Sequence, residues 1–175
     1  MADICVAEDK RLCDEGRTAV IDLPKRVEPE TAAGEFEVSI DQERLDLEMI
    51  HDFLANRSYW ARNLDFETMK KMFENSVCFG VYHQEKQVGF ARVVTDFVTI
   101  AYIGDVFILE DYRGKGLGKL LTSSIISHPT LKDVRLWFLS TRDAQGLYRK
   151  FGFKNLDTPE RFMVRPNPET YRKNQ

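Results

Sequence analysis

The spacing of apolar residues changes period several times along the chain. Phe36-Glu37-Val38-Ser39-Ile40 alternates, which predicts a strand. Asp41 follows as an N-cap, and Leu45, Met49, Ile50, Phe53 and Leu54 then recur at helical spacing. Asp65 caps a second predicted helix, with Leu64 and Met69 placed as a hydrophobic staple. Between the helices, the stretch Asn56–Arg62 carries Tyr59, Trp60 and two arginines. It reads either as a helix connection with core-packed aromatics or as a substrate-lining loop. Apolar runs at 77–83, 87–95 and 99–109 predict three strands, the first two joined by a Gln84-Glu85-Lys86 hairpin turn. Gly89 marks a bulge or a close backbone approach. Leu117, Leu120, Leu121 and Ile125 share one face of a helix running to about His128. A strand at 134–139 follows. Ala144, Leu147, Tyr148 and Phe151 then lie on one face of a helix that Gly152 stops. Last strands are expected near Phe153 and at Phe162–Arg165, before a polar tail. The order β-α-α-β-β-β-α-β-α-β-β predicts an α+β fold, with one mixed, mainly antiparallel central sheet flanked by helices on both faces.

Composition narrows the partners. A chain of 175 residues suits one domain with a sizeable core. Residues 1–34 are polar, with Pro24, Pro29 and Gly34 near their end, so they read as a flexible or loosely docked N-terminal extension to a domain over 35–175. The patch Ala19-Val20-Ile21 could dock on the body. A net charge of −3 argues against general nucleic-acid or polyanionic-membrane binding. No apolar run reaches membrane-spanning length, and with Asp3, Glu8 and Asp9 and no apolar h-region the N-terminal stretch is not expected to be a secretory signal. Cys5, Cys13 and Cys78 form no disulfide framework; Cys5 and Cys13 could pair, but free thiols in a reducing, cytoplasmic setting are the expectation. His51, His83 and His128 are scattered without metal-ligand spacing, so no metal is expected.

The chemistry concentrates in Arg113-Gly114-Lys115-Gly116-Leu117-Gly118, a basic, glycine-rich turn between the run Val106-Phe107-Ile108-Leu109 and a helix. Such a turn leaves the first helical N–H groups unpaired at the positive end of the helix dipole, a seat for a phosphate. A P-loop would need glycine where Arg113 stands and Ser or Thr where Leu120 stands. A Rossmann fingerprint needs G-x-G-x-x-G in an N-terminal βαβ unit, whereas the spacing here is G-x-G-x-G, two-thirds of the way along. The bland alternative is a glycine-rich turn that simply starts a helix.

Arg113, Gly116 and Gly118 fit [QR]-x-x-G-x-[GA], and the stretch resembles the pyrophosphate loop of the GCN5-related N-acetyltransferase (GNAT) superfamily. Asp143-Ala144-Gln145-Gly146-Leu147-Tyr148, ahead of Gly152-Phe153, is similar to that family's later A-x-x-[LF]-Y helix followed by G-F. The resemblance covers about residues 35–165, and the predicted element order also matches the family's arrangement.

The resemblance implies transfer of an acetyl or other acyl group from acetyl-CoA, as cosubstrate, to a primary amine by direct attack. It implies a pyrophosphate seat on the backbone of about Arg113, Gly114, Lys115, Gly116, Leu117 and Gly118, helped by the charges of Arg113, Lys115 and Lys119. The pantetheine arm would lie along the strand at Val106, Phe107 and Ile108, where family strands splay, and an N–H near Phe107 or Ile108 would polarise the thioester. Tyr148 matches the family's general acid for the departing thiolate; alone, it reads equally as a packed aromatic. The place of a base used by several relatives falls near Tyr102, which is no carboxylate. Asp105 and Asp96 are the carboxylates to test, although alternation puts Asp105 on the face opposite Tyr102. Asp143 reads as a helix N-cap. The acceptor would be a small-molecule or peptide amine, and the resemblance also allows a homodimer. A catalytically inactive, CoA-binding or partner-binding module of the same fold is the alternative.

Overall fold

The computed structural model describes residues 26–27 and 35–167. The strands are β1 (Arg26–Val27), β2 (Phe36–Ser39), β3 (Val77–His83), β4 (Lys86–Thr95), β5 (Ile100–Ile108) and β6 (Leu136–Leu139). They form one sheet in sequence order, antiparallel throughout except for the parallel pair β5–β6. The helices are α1 (Leu47–Asp52), α2 (Phe66–Glu74), α3 (Leu117–Ser127) and α4 (Gln145–Tyr148). This is the mixed, mainly antiparallel α+β sheet that the apolar spacing predicts.

Helices cover both faces because each strand alternates between two buried sets. Val38, Phe79, Val81, Ala91, Val93 and Ile103 pack against Leu117, Leu121 and Ile125 of α3. Cys78, Phe90 and Phe107 pack on the other face against Ile50, Leu54, Met69 and Phe73 of α1 and α2. No described helix is long and apolar enough to cross a membrane.

Local signals explain most boundaries. The Asp65 carboxylate accepts from Thr68 N at 2.9 Å and starts α2, with Leu64 and Met69 both buried beside it. Gly89 answers to a close approach: a Cβ there would lie 2.5 Å from Ile108 Cδ1 and 3.0 Å from the Phe107 carbonyl.

Three expectations need correction. Asp41 caps only a short 3₁₀ turn, Gln42–Arg44, and α1 starts at a second cap, Asp46, which accepts from Met49 N at 2.9 Å. A tertiary bond decides between the two aspartates: Gln87 Oε1, buried in β4, accepts from Asp46 N at 2.8 Å. Asp143 is not the cap of α4; the Thr141 hydroxyl accepts from Ala144 N at 3.0 Å, and Ala144 holds the cap position. The last strands do not form among the described residues. Pro159 opens a 3₁₀ turn, Pro159–Arg161, and Met163 and Val164 stay 95% and 91% exposed, so neither face of that short run is buried. β6 is consequently the last strand of the sheet.

Arg26 and Val27, inside the predicted extension, pair with Ser39 and Val38. Residues 1–25 and 28–34, including Ala19-Val20-Ile21, and 168–175 lie outside the described residues.

Candidate active site

β5 and β6 part company at Ile103↔Leu139, their last registered pair. Beyond it, β5 continues to Ile108 with β4 on one side only. Leu109 N donates to the Val88 carbonyl at 2.9 Å. By alternation, Phe107 and Leu109 turn their backbone groups to β4, and Val106 and Ile108 turn theirs to the open edge. Arg113 Nε takes the Ile108 carbonyl at 2.9 Å. The Phe107 ring is buried, stacked on Phe53 with centroids 3.8 Å apart.

The same stretch contains a bulge. Gly104 pairs with Arg92 and Phe107 with Phe90, so Asp105 and Val106 together oppose Ala91. Asp105 takes the extra turn with φ of 55°, a left-handed conformation that aspartate tolerates. The bulge resets the alternation. Asp105 therefore stands on the Tyr102 and Arg92 side of the sheet, not on the opposite face that strict alternation predicts. Its Oδ2 accepts from Arg92 Nε at 2.7 Å and its Oδ1 from Trp60 Nε1 at 3.1 Å. Arg92 Nη1 also donates to Ser76 Oγ at 3.2 Å.

Trp60 reaches Asp105 because the α1–α2 connection is stiff. After α1 the chain makes a π-type turn, Phe53–Arg57, closed by Ser58 N on the Phe53 carbonyl at 2.8 Å. The buried Ser58 hydroxyl donates to the Leu54 carbonyl and accepts from Ala61 N. Tyr59 and Trp60 project from this anchor, about 40% exposed, with rings edge-to-face at 4.9 Å. Tyr59 crosses to the β6–α4 connection, where its hydroxyl accepts from Arg142 N at 3.3 Å and its ring lies 3.8 Å under the Arg142 guanidinium.

Tyr148 forms the far wall. It is buried, edge-on to Phe153 at 5.8 Å. Its hydroxyl is pushed up to about 12, first by burial, then by Asp143 and Tyr59. A cavity of about 300 Å³ beside it is lined by Leu139, Ser140, Thr141 and Gln145 among others. A larger cavity of about 440 Å³ lies between β6 and residues 151–158, and shares no residue with the bulge, the Arg113 turn or Tyr148.

The glycine-rich turn closes the opposite end. Gly114 and Gly116 have φ of 77° and 82°, and a Cβ on either would meet nothing within 4 Å. Gly116 is the N-cap of α3 and has no side chain to offer. Among the described residues, none accepts from the N–H groups of Gly116, Leu117 or Gly118. These groups point from the helix N-terminus into open space, as an anion seat requires. The third glycine differs: a Cβ on Gly118 would meet Leu147 Cδ2 at 3.4 Å, so Gly118 lets α3 and α4 pack closely. Arg113 is tied to Glu110 Oε1 at 3.1 Å, and Lys115 Nζ sits 5.1 Å over the Tyr112 ring. Lys119 is exposed.

Asp96 lies elsewhere. It closes the β4–β5 hairpin, where Oδ1 accepts from Val98, Thr99 and Ile100 N at 3.0, 2.8 and 3.1 Å and Oδ2 accepts from the Thr99 hydroxyl. These bonds hold its carboxyl well below the usual range. Roughly 16 Å of strand separates Ile100 from Asp105 at ~3.3 Å per residue. The structure thus joins Asp105, the Val106–Ile108 edge and the 113–118 turn along one strand end, sets Tyr148 near Tyr59, whose neighbour Trp60 holds Asp105, and leaves Asp96 out. Arg92 and Trp60 were not expected here. The readable signal was Gly104-Asp105, a glycine and a left-handed-tolerant residue in mid-strand.

A GNAT-family protein of Xanthomonas campestris pv. campestris superposes with a TM-score of 0.76 at 37% identity, covering 80% of this chain and 99% of that one. The chain belongs to the GNAT superfamily. Residues 74–155, from the end of α2 past Tyr148, match the family described as the acetyltransferase (GNAT) domain. An acetyltransferase-named protein of Gibberella zeae is 29% identical over 140 residues, which is 67% of this chain and 77% of that one. A GNAT acetyltransferase of Elizabethkingia anophelis, solved with acetyl-CoA bound, shares the fold at a TM-score of 0.54 and 15% identity over 70% of this chain and 78% of its own.

Proposed function

We propose that this GNAT protein transfers an acetyl group from acetyl-CoA to a primary amine by direct attack. One observation carries the reading: beyond Ile103 the β5 edge at Val106–Ile108 runs free of β6 toward a turn whose Gly116, Leu117 and Gly118 N–H groups have no acceptor among the described residues. The CoA pyrophosphate would sit on the Gly116–Gly118 N–H groups, and the pantetheine arm would lie along the open edge between that turn and Ile108. The Ile108 N–H faces the open edge and would receive the developing oxyanion; Phe107 N–H faces β4. Asp105 would take the ammonium proton, directly or through water, since each of its oxygens holds one partner and retains a lone pair. Nitrogen would bond to the acetyl carbon, the C–S bond would break, and Tyr148 would hand its proton to the thiolate. With its hydroxyl near 12, Tyr148 stays protonated across the neutral range.

Calorimetry with acetyl-CoA, together with thiol release over a panel of amines, tests the reading. Saturable binding and amine-dependent CoA release are expected. Tight binding with no release on any amine would instead indicate a CoA-binding module without catalysis.

A further inference from the structure

Among the described residues, the helices leave the sheet face that leads to Asp105 uncovered, and at its β6 margin the Phe162 ring stands edge-on to Phe138 at 5.5 Å. α1 and α2 cover it around Cys78, Phe90 and Phe107 and stop there. Next along the strands, Val94, Tyr102 and Phe138 stand in one registered row, and Ile100 pairs with Leu136 in the row beyond. Val94, Ile100, Tyr102 and Leu136 are 40%, 45%, 40% and 44% exposed. Strand residues of this kind, on three adjacent strands, ordinarily face a core. Here they make an apolar floor about 10 Å wide, at ~4.8 Å per strand, whose far row of Ile100 and Leu136 lies about 16 Å along the strand from Asp105, at ~3.3 Å per residue.

The floor has a polar end. The Tyr102 ring leans over Gly104, where a Cβ would lie 3.1 Å from Tyr102 Cε1. The ring therefore reaches up to Asp105, which the bulge holds on this same face. Tyr59 and Trp60 stand at that end, and their rings attract cations. Asp105 is the carboxylate held at the head of the floor, and Val94, Ile100, Tyr102 and Leu136 carry no charge. A polyamine would need further anions along its length. A phosphorylated sugar would need a cation on the floor, and Val94, Ile100, Tyr102 and Leu136 supply none, while Arg92 is engaged by Asp105.

We infer that the acceptor is a primary amine borne on an apolar or aromatic body, its nitrogen at Asp105 and its body on the Val94–Tyr102–Leu136 floor. The inference rests on the acyl-transfer reading. It also accounts for product release: the amide is neutral and gives up the charge that Asp105 held.

The test uses the full chain, acetyl-CoA and six amines: tryptamine, 2-phenylethylamine and hexylamine against spermidine, glucosamine 6-phosphate and lysine. The apolar amines should lead in kcat/KM by roughly 10-fold or more, the span that apolar pocket contacts supply. Leu136→Glu and Tyr102→Glu should raise the tryptamine KM by a similar factor and narrow the gap to spermidine, with the acetyl-CoA KM unchanged. Melting curves confirm that the variants fold. Preference for spermidine or glucosamine 6-phosphate would overturn the acceptor class and leave acyl transfer standing. Acetyl-CoA binding with no acetylated amine would overturn both. A dimer that Tyr102→Glu dissolves, with tryptamine KM unmoved, would make the floor an interface between copies and would also overturn the inference.

Discussion

Replacing Asp105 by Asn separates stability from chemistry. The backbone should stay as it is, because asparagine tolerates a φ of 55° as aspartate does. The partners change more. The Asp105 and Arg92 side chains are 8% and 15% exposed, and both carboxylate oxygens accept hydrogen bonds. The amide of the variant would turn an NH₂ toward either Arg92 or Trp60 and leave the guanidinium without its counter-ion. Removing one partner of a buried pair costs about 3–5 kcal/mol. Arg92 keeps Ser76 Oγ at 3.2 Å, so the lower part of that span applies. A loss of about 3–4 kcal/mol lowers Tm by about 6–16 °C, at ~2–4 °C per kcal/mol for a chain of this size. Loss of the base lowers kcat/KM by about 10²–10⁴-fold. Arg92→Met combined with Asp105→Asn removes the orphaned charge and should regain most of the stability but none of the activity. Calorimetric melting and thiol release at 25 °C measure the two effects. Wild-type kcat/KM in a folded Asp105→Asn variant, or activity that returns with stability in the double variant, would refute the base assignment.

Other outcomes follow from the geometry. Gly116→Ala should weaken acetyl-CoA binding about 10-fold or more by calorimetry and cost about 1–2 kcal/mol, because φ is 82° and the added methyl faces the anion seat. Gly118→Ala, facing Leu147 at 3.4 Å, should leave affinity close to wild type. Burial pushes Cys78 from 9.0, and Tyr82 and Tyr148 from 10.0, up to about 12. The folded state then holds these protons longer than the unfolded one, so stability is full below pH 9 and falls as pH rises from 9 to about 12. Cys78→Ala should flatten the start of that fall in Tm-versus-pH scans; an unchanged slope between pH 9 and 10 would argue against a raised Cys78. Met163→Lys with Val164→Lys should shift Tm by less than the equivalent of ~0.5 kcal/mol, since both side chains are over 90% exposed, and a large loss would mean that the segment pairs after all.

Much of the fold was legible because its elements carry strong local signals. The Asp65 cap, the alternating runs of β3 and β4 and the α3 stripe all agree with their tertiary settings. The misses lie where distant contacts outvote local ones. Asp41 and Asp46 are both adequate caps, and Gln87, forty-one residues after Asp46, decides between them. Phe162-Met163-Val164 has strand composition, but no described residue buries its outer side chains. In the site, the 113–118 turn and Tyr148 could be read as segments. The Arg92–Asp105–Trp60 arrangement could not, because it needs a bulge to turn one residue to the other face. Asp96 was misleading for a related reason: a carboxylate at a strand end is more often a turn ligand, and here it binds three backbone N–H groups.

On the proposed reaction, the open β5 edge delivers an acetyl thioester to the Tyr148 hydroxyl. Tyr148→Phe removes one oxygen from a buried ring and keeps its contact with Phe153. With acetyl-CoA, a verified acceptor amine and chemistry rate-limiting, kcat should fall roughly 10- to 1000-fold, within the span of general acid catalysis. Acetyl-CoA affinity should stay within about twofold, because the hydroxyl acts as thiolate charge develops. A wild-type kcat in the folded Tyr148→Phe protein would overturn Tyr148 as the general acid.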